Sequence, residues 1–178
     1  MLCHTKFDFD YELFLKEYWN LKEYEKDYAR GGKSISNLRM IRDKDNKSEH
    51  ANAFADMIKH MFSLPGKVSS RFIFLKANTS LPEHTDSDTE CAINFLLTGD
   101  GYKQAPVIFN GIEYHYKQAL LNTQIPHMVH NGPMDRIIFK VSIFDMPYSE
   151  VKNLFDLTGY VQSKPPIGSV HQQRDNDS

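Results

Sequence analysis

The chain has 178 residues, of which 40% are hydrophobic and 25% charged, with 12 Phe and 9 Tyr. That profile is globular and excludes a disordered or low-complexity chain, and the length predicts one domain over 1–162. A formal net charge of −2, with Lys and Arg spread among Asp and Glu, gives no basic stripe, so nucleic acid is not an expected partner.

Cys3 and Cys91 are too few for a disulfide framework and form no C-x-x-C pair, so both are expected as free thiols in a reducing cytoplasm. The first ten residues mix His, Lys and Asp into their apolar positions, unlike a secretion signal. No apolar run approaches the roughly 20 residues that span a bilayer, so no membrane partner is expected.

From Asp10 to about Tyr28, Tyr11, Phe14, Leu15, Tyr18, Leu21 and Tyr24 recur at three- and four-residue steps, which predicts an amphipathic helix ended by Gly31-Gly32. The aromatic stripe is expected to be core. A second helix is predicted over 48–62, with Ser48 as its cap and Pro65-Gly66 beyond its end. These two N-terminal helices occupy 10–62.

Past Gly66 the pattern changes to short β-prone runs at 68–76, 92–97, 107–109, 112–116, 119–121 and 136–144. Asn110-Gly111 is a two-residue hairpin signal, and Gly99-Asp100-Gly101 marks a further turn. A last helix is predicted over 149–157, and 163–178 reads as a mobile tail. The fold class that follows is mainly β with N-terminal helices, the helices packing on an antiparallel double-sheet jelly roll over 67–145, a cupin-like double-stranded β-helix.

Of the eight histidines only His84 is followed two positions later by an acid, Asp86. In an extended segment residues two apart project to one face, so imidazole and carboxylate can converge on one ion. A third ligand has to come from another strand, and Asn122 to Asn131 offers His127. His130, three positions on, should face the other way. Two histidines and one carboxylate on one face leave open coordination positions, the facial-triad arrangement of non-haem Fe(II) oxygenases.

Leu81 to Asp86, then Asn122 to Asn131, then Arg136 at the head of the apolar strand together resemble the core of the 2-oxoglutarate/Fe(II) oxygenases. The segment His127-x-Val129-x-Asn131 followed by Arg136 is similar to the aspartyl/asparaginyl β-hydroxylase branch. The resemblance, which covers about 72–144, implies a double-stranded β-helix dioxygenase that hydroxylates a C–H of an amino acid, peptide side chain or other small molecule. It implies Fe(II) on His84, Asp86 and His127, with 2-oxoglutarate and O2 as co-substrates. Arg136 is then the anchor of the distal 2-oxoglutarate carboxylate, a role suited to a planar, permanently charged fork.

That branch carries basic residues on the strand after the His-x-Asp, where this chain has Ala92, Asn94 and Leu96. Asn94 is a candidate to assist 2-oxoglutarate with a neutral hydrogen bond; Lys140 and Ser142 share the parity of Arg136 and are the alternatives that could compensate, an exposed Lys140 being the other expectation. Tyr114 and Tyr116 are candidate pocket residues. Three rivals remain: a cupin-type metal protein that uses no 2-oxoglutarate, which usually carries His-x-His with a Glu, a non-catalytic jelly-roll binding module, and a degenerate oxygenase that keeps the motif without turnover, as the missing basic partner near Asn94 would allow.

Overall fold

The computed structural model describes residues 1–30, 33–42, 45–86, 88–99 and 104–162. Gly31-Gly32, Asp100-Gly101 and the tail expected over 163–178 lie outside them.

In chain order the elements are β1 (Leu2–His4), α1 (Tyr11–Asn20), a 3-10 turn (Lys22–Tyr24), β2 (Lys26–Arg30), β3 (Lys33–Ile41), α2 (Glu49–Met61), β4 (Val68–Leu75) and β5 (Ser80–His84). They continue with β6 (Cys91–Leu96), β7 (Val107–Phe109), β8 (Ile112–Tyr114), β9 (Gln118–Asn122), β10 (His127–His130), β11 (Arg136–Ile143) and α3 (Tyr148–Leu157). Every strand pair is antiparallel. Seven strands form one sheet in the order β1-β9-β6-β11-β4-β3-β2, and four form a second in the order β5-β10-β7-β8. This is the expected double-sheet jelly roll. No helix among the described residues is long and apolar enough to cross a membrane.

Local chemistry accounts for most element ends. Asp10 caps α1 through its carboxylate to the Leu13 amide at 2.9 Å, and Ser48 caps α2 through its hydroxyl to the Ala51 amide at 2.9 Å. Asn110 and Gly111 take φ of 50° and 78°, the left-handed pair that a tight hairpin between β7 and β8 requires.

The first predicted helix is corrected: it stops at Asn20 instead of running to Tyr28. The Leu21 amide bonds both Glu17 and Tyr18 carbonyls, the tightening that ends a helix, and Glu25 is already extended. Glu25 accepts from the Tyr18 hydroxyl at 2.5 Å and pairs with Arg39, and the chain then enters the β2–β3 hairpin. Sheet pairing at 26–41 overrides the local helical spacing, and the aromatic periodicity gave no warning of it. Strand β1, which adds an edge beside β9, was likewise not expected.

The large sheet has two buried faces. On its outer face α1, α2 and α3 contribute Phe14, Tyr18, Ala55, Ile58, Val151 and Phe155 against Phe72, Phe95 and Phe139 of the strands. Phe9 stacks on Phe95 with centroids 4.1 Å apart, and Tyr18 is 1% exposed, so the aromatic stripe is core as expected. Truncating a ring such as the fully buried Phe139 to Ala costs about 3–5 kcal/mol in sites of this kind. The inner face, between the sheets, holds a second core of Leu38, Leu75, Leu96, Val107, Val129 and Ile138. Strand β11 divides its residues between the two, with Ile137, Phe139, Val141 and Ile143 outward and Arg136, Ile138, Lys140 and Ser142 inward.

Candidate metal centre

His84 ends β5 and His127 begins β10, and the two are direct partners in the antiparallel ladder. Their rings lie 4.4 Å apart between centroids, and Phe109, the other ladder partner of His127, flanks it at 5.4 Å. Asp86 sits just past the strand end, where its amide donates to the Thr123 carbonyl at 3.0 Å. One ligand atom from each of His84, Asp86 and His127 lies within 4.8 Å of the others, the spacing of donors around a single ion.

Both imidazoles are oriented by their own backbone. His84 Nδ1 donates to the Pro82 carbonyl at 2.8 Å and His127 Nδ1 to the Ile125 carbonyl at 2.9 Å, each two residues upstream. Those bonds select the tautomer whose Nε2 lone pair is free, and His84 Nε2 stands 3.6 Å from Asp86 Oδ1. Burial lowers the pKa of His127 and favours its neutral, ligating form. For Asp86, burial works to raise the carboxyl pKa, but Lys140, bonded to Oδ2 at 2.5 Å, and the two imidazoles outweigh it and leave the pKa below the usual carboxylate value. The donor set of two imidazole nitrogens and one carboxylate oxygen fits a divalent transition metal.

The two halves of the cluster are tied together by residues that sequence reasoning did not single out. Gln124 Nε2 donates to the carbonyls of Asp86 and Thr89, at 2.9 and 2.7 Å, and the Thr123 hydroxyl donates to the Thr89 carbonyl at 2.6 Å. The segment leading into His127 thus holds the loop that carries Asp86. Lys140, a candidate by strand parity to compensate for the missing basic residue or else to be exposed, is 8% exposed and bonds Asp86.

A cavity of about 80 Å³ between the sheets is lined by His84, His127 and Lys140 and by Arg136, Asn94 and Tyr116, with Arg136 four residues before Lys140 on β11. Arg136 is 2% exposed and meets no carboxylate among the described residues. Its Nη1 donates to the Ala105 carbonyl and its Nη2 to the Tyr116 hydroxyl, at 3.2 Å for the latter, while Nε has no hydrogen-bond partner. The Tyr116 hydroxyl also accepts from Asn94 Nδ2 at 3.2 Å, and Asn94 Oδ1 is buried without a partner. Of the two tyrosine candidates, Tyr116 lines the cavity, whereas Tyr114 packs beside Phe109.

His130 is exposed and shares a hydrogen bond with Ser80, so it stays apart from the cluster. Asn131 Nδ2 donates to the carbonyls of Leu75, Lys76 and Met134, which fixes the turn into Arg136. Asp135 bonds the Ala77 amide and does not pair with Arg136.

No family model matches the chain, and no curated protein does. Solved structures do. A Trichoplax adhaerens prolyl hydroxylase, in complex with a hypoxia inducible factor oxygen degradation domain peptide fragment, is similar with a TM-score of 0.64 at 11% identity, over 89% of this chain and 86% of that one. A Pseudomonas putida prolyl-4-hydroxylase gives 0.56 at 10% identity, over 76% and 86%. The non-haem α-ketoglutarate-dependent epimerase SnoN from nogalamycin biosynthesis gives 0.57 at 11% identity, over 96% and 86%. The chain therefore has the double-stranded β-helix fold of these two prolyl hydroxylases and the epimerase.

Proposed function

We propose that the protein is a non-haem Fe(II), 2-oxoglutarate-dependent dioxygenase that hydroxylates a C–H bond. The observation that carries the reading is the pairing of two features at one cavity, the His84–Asp86–His127 cluster and a buried Arg136 that meets no carboxylate among the described residues. Similarity of fold to prolyl hydroxylases and an α-ketoglutarate-dependent epimerase supports the same class of reaction.

His84, Asp86 and His127 would hold the iron, and Arg136, with the Tyr116 hydroxyl and Asn94 beside it, would take the distal carboxylate of 2-oxoglutarate. When bound, iron, 2-oxoglutarate and O2 supply the oxidation: one oxygen atom goes to the substrate as hydroxyl and the other to succinate, with release of CO2. The chain's own work is positional. Pro82 and Ile125 carbonyls orient the imidazoles, Lys140 steers the Asp86 carboxylate, and the apolar walls at Leu38, Leu75, Val107 and Val129 keep water away from the reacting centre. No side-chain general base is needed.

The finer placement near the aspartyl/asparaginyl β-hydroxylase branch rests on His127, Val129, Asn131 and Arg136, and the bonds of Asn131 give that segment a structural reason: it sets the turn that delivers Arg136. The reading also keeps the protein as a single oxygenase domain over 1–162 acting in the cytoplasm. Its test is an anaerobic titration of apo-protein with Fe(II) and 2-oxoglutarate. The expected result is the weak visible charge-transfer band of the chelate, lost in His127→Ala and in Asp86→Ala. A folded, iron-loaded protein without that band would falsify the reading.

A further inference from the structure

Beyond the metal cluster, on the side away from Arg136, the inner face of the large sheet carries polar groups that nothing so far uses. Strand β11 presents Arg136, Ile138, Lys140 and Ser142 to the interior, and on β4 the ladder partners of Lys140 and Ser142 are Arg71 and Ser69. Interior residues step by about 6.8 Å per pair along a strand, so Lys140 and Arg71 lie roughly 13 Å along the sheet from Arg136. Asp86 bonds Lys140 and so stands at that level. If 2-oxoglutarate reaches from the cluster to Arg136, as the proposed function has it, the co-substrate occupies the Arg136 side and the substrate has to approach from the side of Arg71.

That side lacks a counter-charge. Asp86 answers Lys140, but Arg71 makes no ion pair among the described residues, and its Nε is buried without a hydrogen-bond partner. The hydroxyls of Ser69 and Ser142, residues 7% and 0% exposed, are also without partners. The Nε of the partly exposed Arg71 and two buried hydroxyls, each without a partner, are costly as they stand and become favourable when an anion enters. One guanidinium fork with two hydroxyl donors matches a carboxylate in charge and geometry. A phosphate dianion would call for a second free cation, and Lys140 is already engaged.

We propose that Arg71, supported by Ser69 and Ser142, anchors a carboxylate of the substrate, and that the substrate is a small free carboxylic acid such as an amino acid. The proposal rests on the 2-oxoglutarate reading, so the experiment has two arms. In the first, the anaerobic Fe(II)/2-oxoglutarate complex is formed with wild type and with Arg71→Gln, and both give the charge-transfer band with the same 2-oxoglutarate dependence. In the second, the twenty common L-amino acids and the straight-chain C3 to C8 monocarboxylates are added singly, each against its primary amide, with inorganic phosphate alongside. Band shift is read anaerobically, and succinate release after admission of O2.

At least one acid is expected to shift the band and stimulate succinate release, while its amide and phosphate do neither. Arg71→Gln should raise the half-saturating concentration of that acid about 10- to 100-fold, with Arg71→Lys recovering part of the loss. Amides as effective as acids, an unchanged acid requirement in Arg71→Gln, a response to phosphate alone, or no response to any acid in a protein that forms the band would each overturn the anchor. Should Arg71→Gln not fold, the comparison of acid with amide in wild type decides the matter. Failure of wild type to form the band refutes the oxygenase reading itself and removes the anchor with it.

Discussion

Replacing Arg136 with Met separates its proposed binding role from its structural one. In a bidentate pair with 2-oxoglutarate the guanidinium would make two charge-assisted hydrogen bonds, each of about 1.5–3 kcal/mol. Against this, the free protein already satisfies part of the fork with the Ala105 carbonyl and the Tyr116 hydroxyl, and giving those up offsets about 1 kcal/mol apiece. The net loss is about 3 kcal/mol, or roughly two orders of magnitude in the Kd for 2-oxoglutarate. Stability should move little, because Arg136 is 2% exposed with no carboxylate to answer it among the described residues, and an apolar side chain of similar length removes a buried charge. The assay is the anaerobic charge-transfer titration at fixed Fe(II), with iron affinity measured separately and the apo melting temperature recorded. A folded Arg136→Met protein that saturates at the wild-type 2-oxoglutarate concentration would refute the reasoning and move the anchor elsewhere.

The remaining predictions concern stability and reactivity. Burial raises the Cys91 thiol to about 12, with lesser contributions from nearby groups, and burial raises the Tyr11 hydroxyl to about 12 as well. Groups whose folded pKa lies above the unfolded value stabilise the fold fully below the unfolded pKa, so stability should fall as pH rises from about 9 toward 12. Melting temperatures across that range check this, and Cys91→Ala should flatten the slope. In native protein at pH 8, Cys91 should resist thiol reagents and react only on unfolding, which a timed labelling experiment reads directly. Asp86, whose folded pKa is depressed, contributes in the opposite direction: its share of stability is present above the unfolded value and is lost as pH falls through the lower folded one, visible as an acid limb that Asp86→Asn removes. Gly111→Ala should cost only about 1 kcal/mol, since φ is 78° but a Cβ there meets nothing within 4 Å. Gly66→Ala should cost more, because its Cβ would fall 1.9 Å from Asp145 Oδ2, and urea midpoints of the two variants give the ranking.

What could be read from the residues, and what could not, divides along physical lines. Short-range chemistry was legible: Ser48 as a cap, Asn110-Gly111 as a hairpin, and His84-x-Asp86 as a local pair each depend on neighbours in the chain. Alternation along β11 correctly put Arg136, Lys140 and Ser142 on one face. It could not say what that face meets, and so the bond of Lys140 to Asp86, 54 residues away, stayed hidden, as did the isolation of Arg71. The strands at 26–41 were missed for the same reason. Their pairing with each other and with β4 is a tertiary fact, while the aromatic spacing before them is equally compatible with a longer helix. The ties from Thr123 and Gln124 to the Asp86 loop also need the two segments side by side before they can be seen.

The two-sidedness of β11 bears on how such a protein can change. Its odd-numbered residues, Ile137 to Ile143, are bound into the helix-side core, where altered volume is expensive. Its even-numbered residues face the space between the sheets, where Arg136, Ile138 and Lys140 line the cavity, and supply little of the helix-side packing, so substitutions there can retune what is bound while the opposite face continues to hold the molecule together. Affinity and foldability are thereby written on alternate letters of one strand. A library confined to 69 and 71 of the partner strand β4 and 142 of β11 would sample new chemistry with most of its members still folded, whereas the same library shifted by one residue would chiefly sample unfolding.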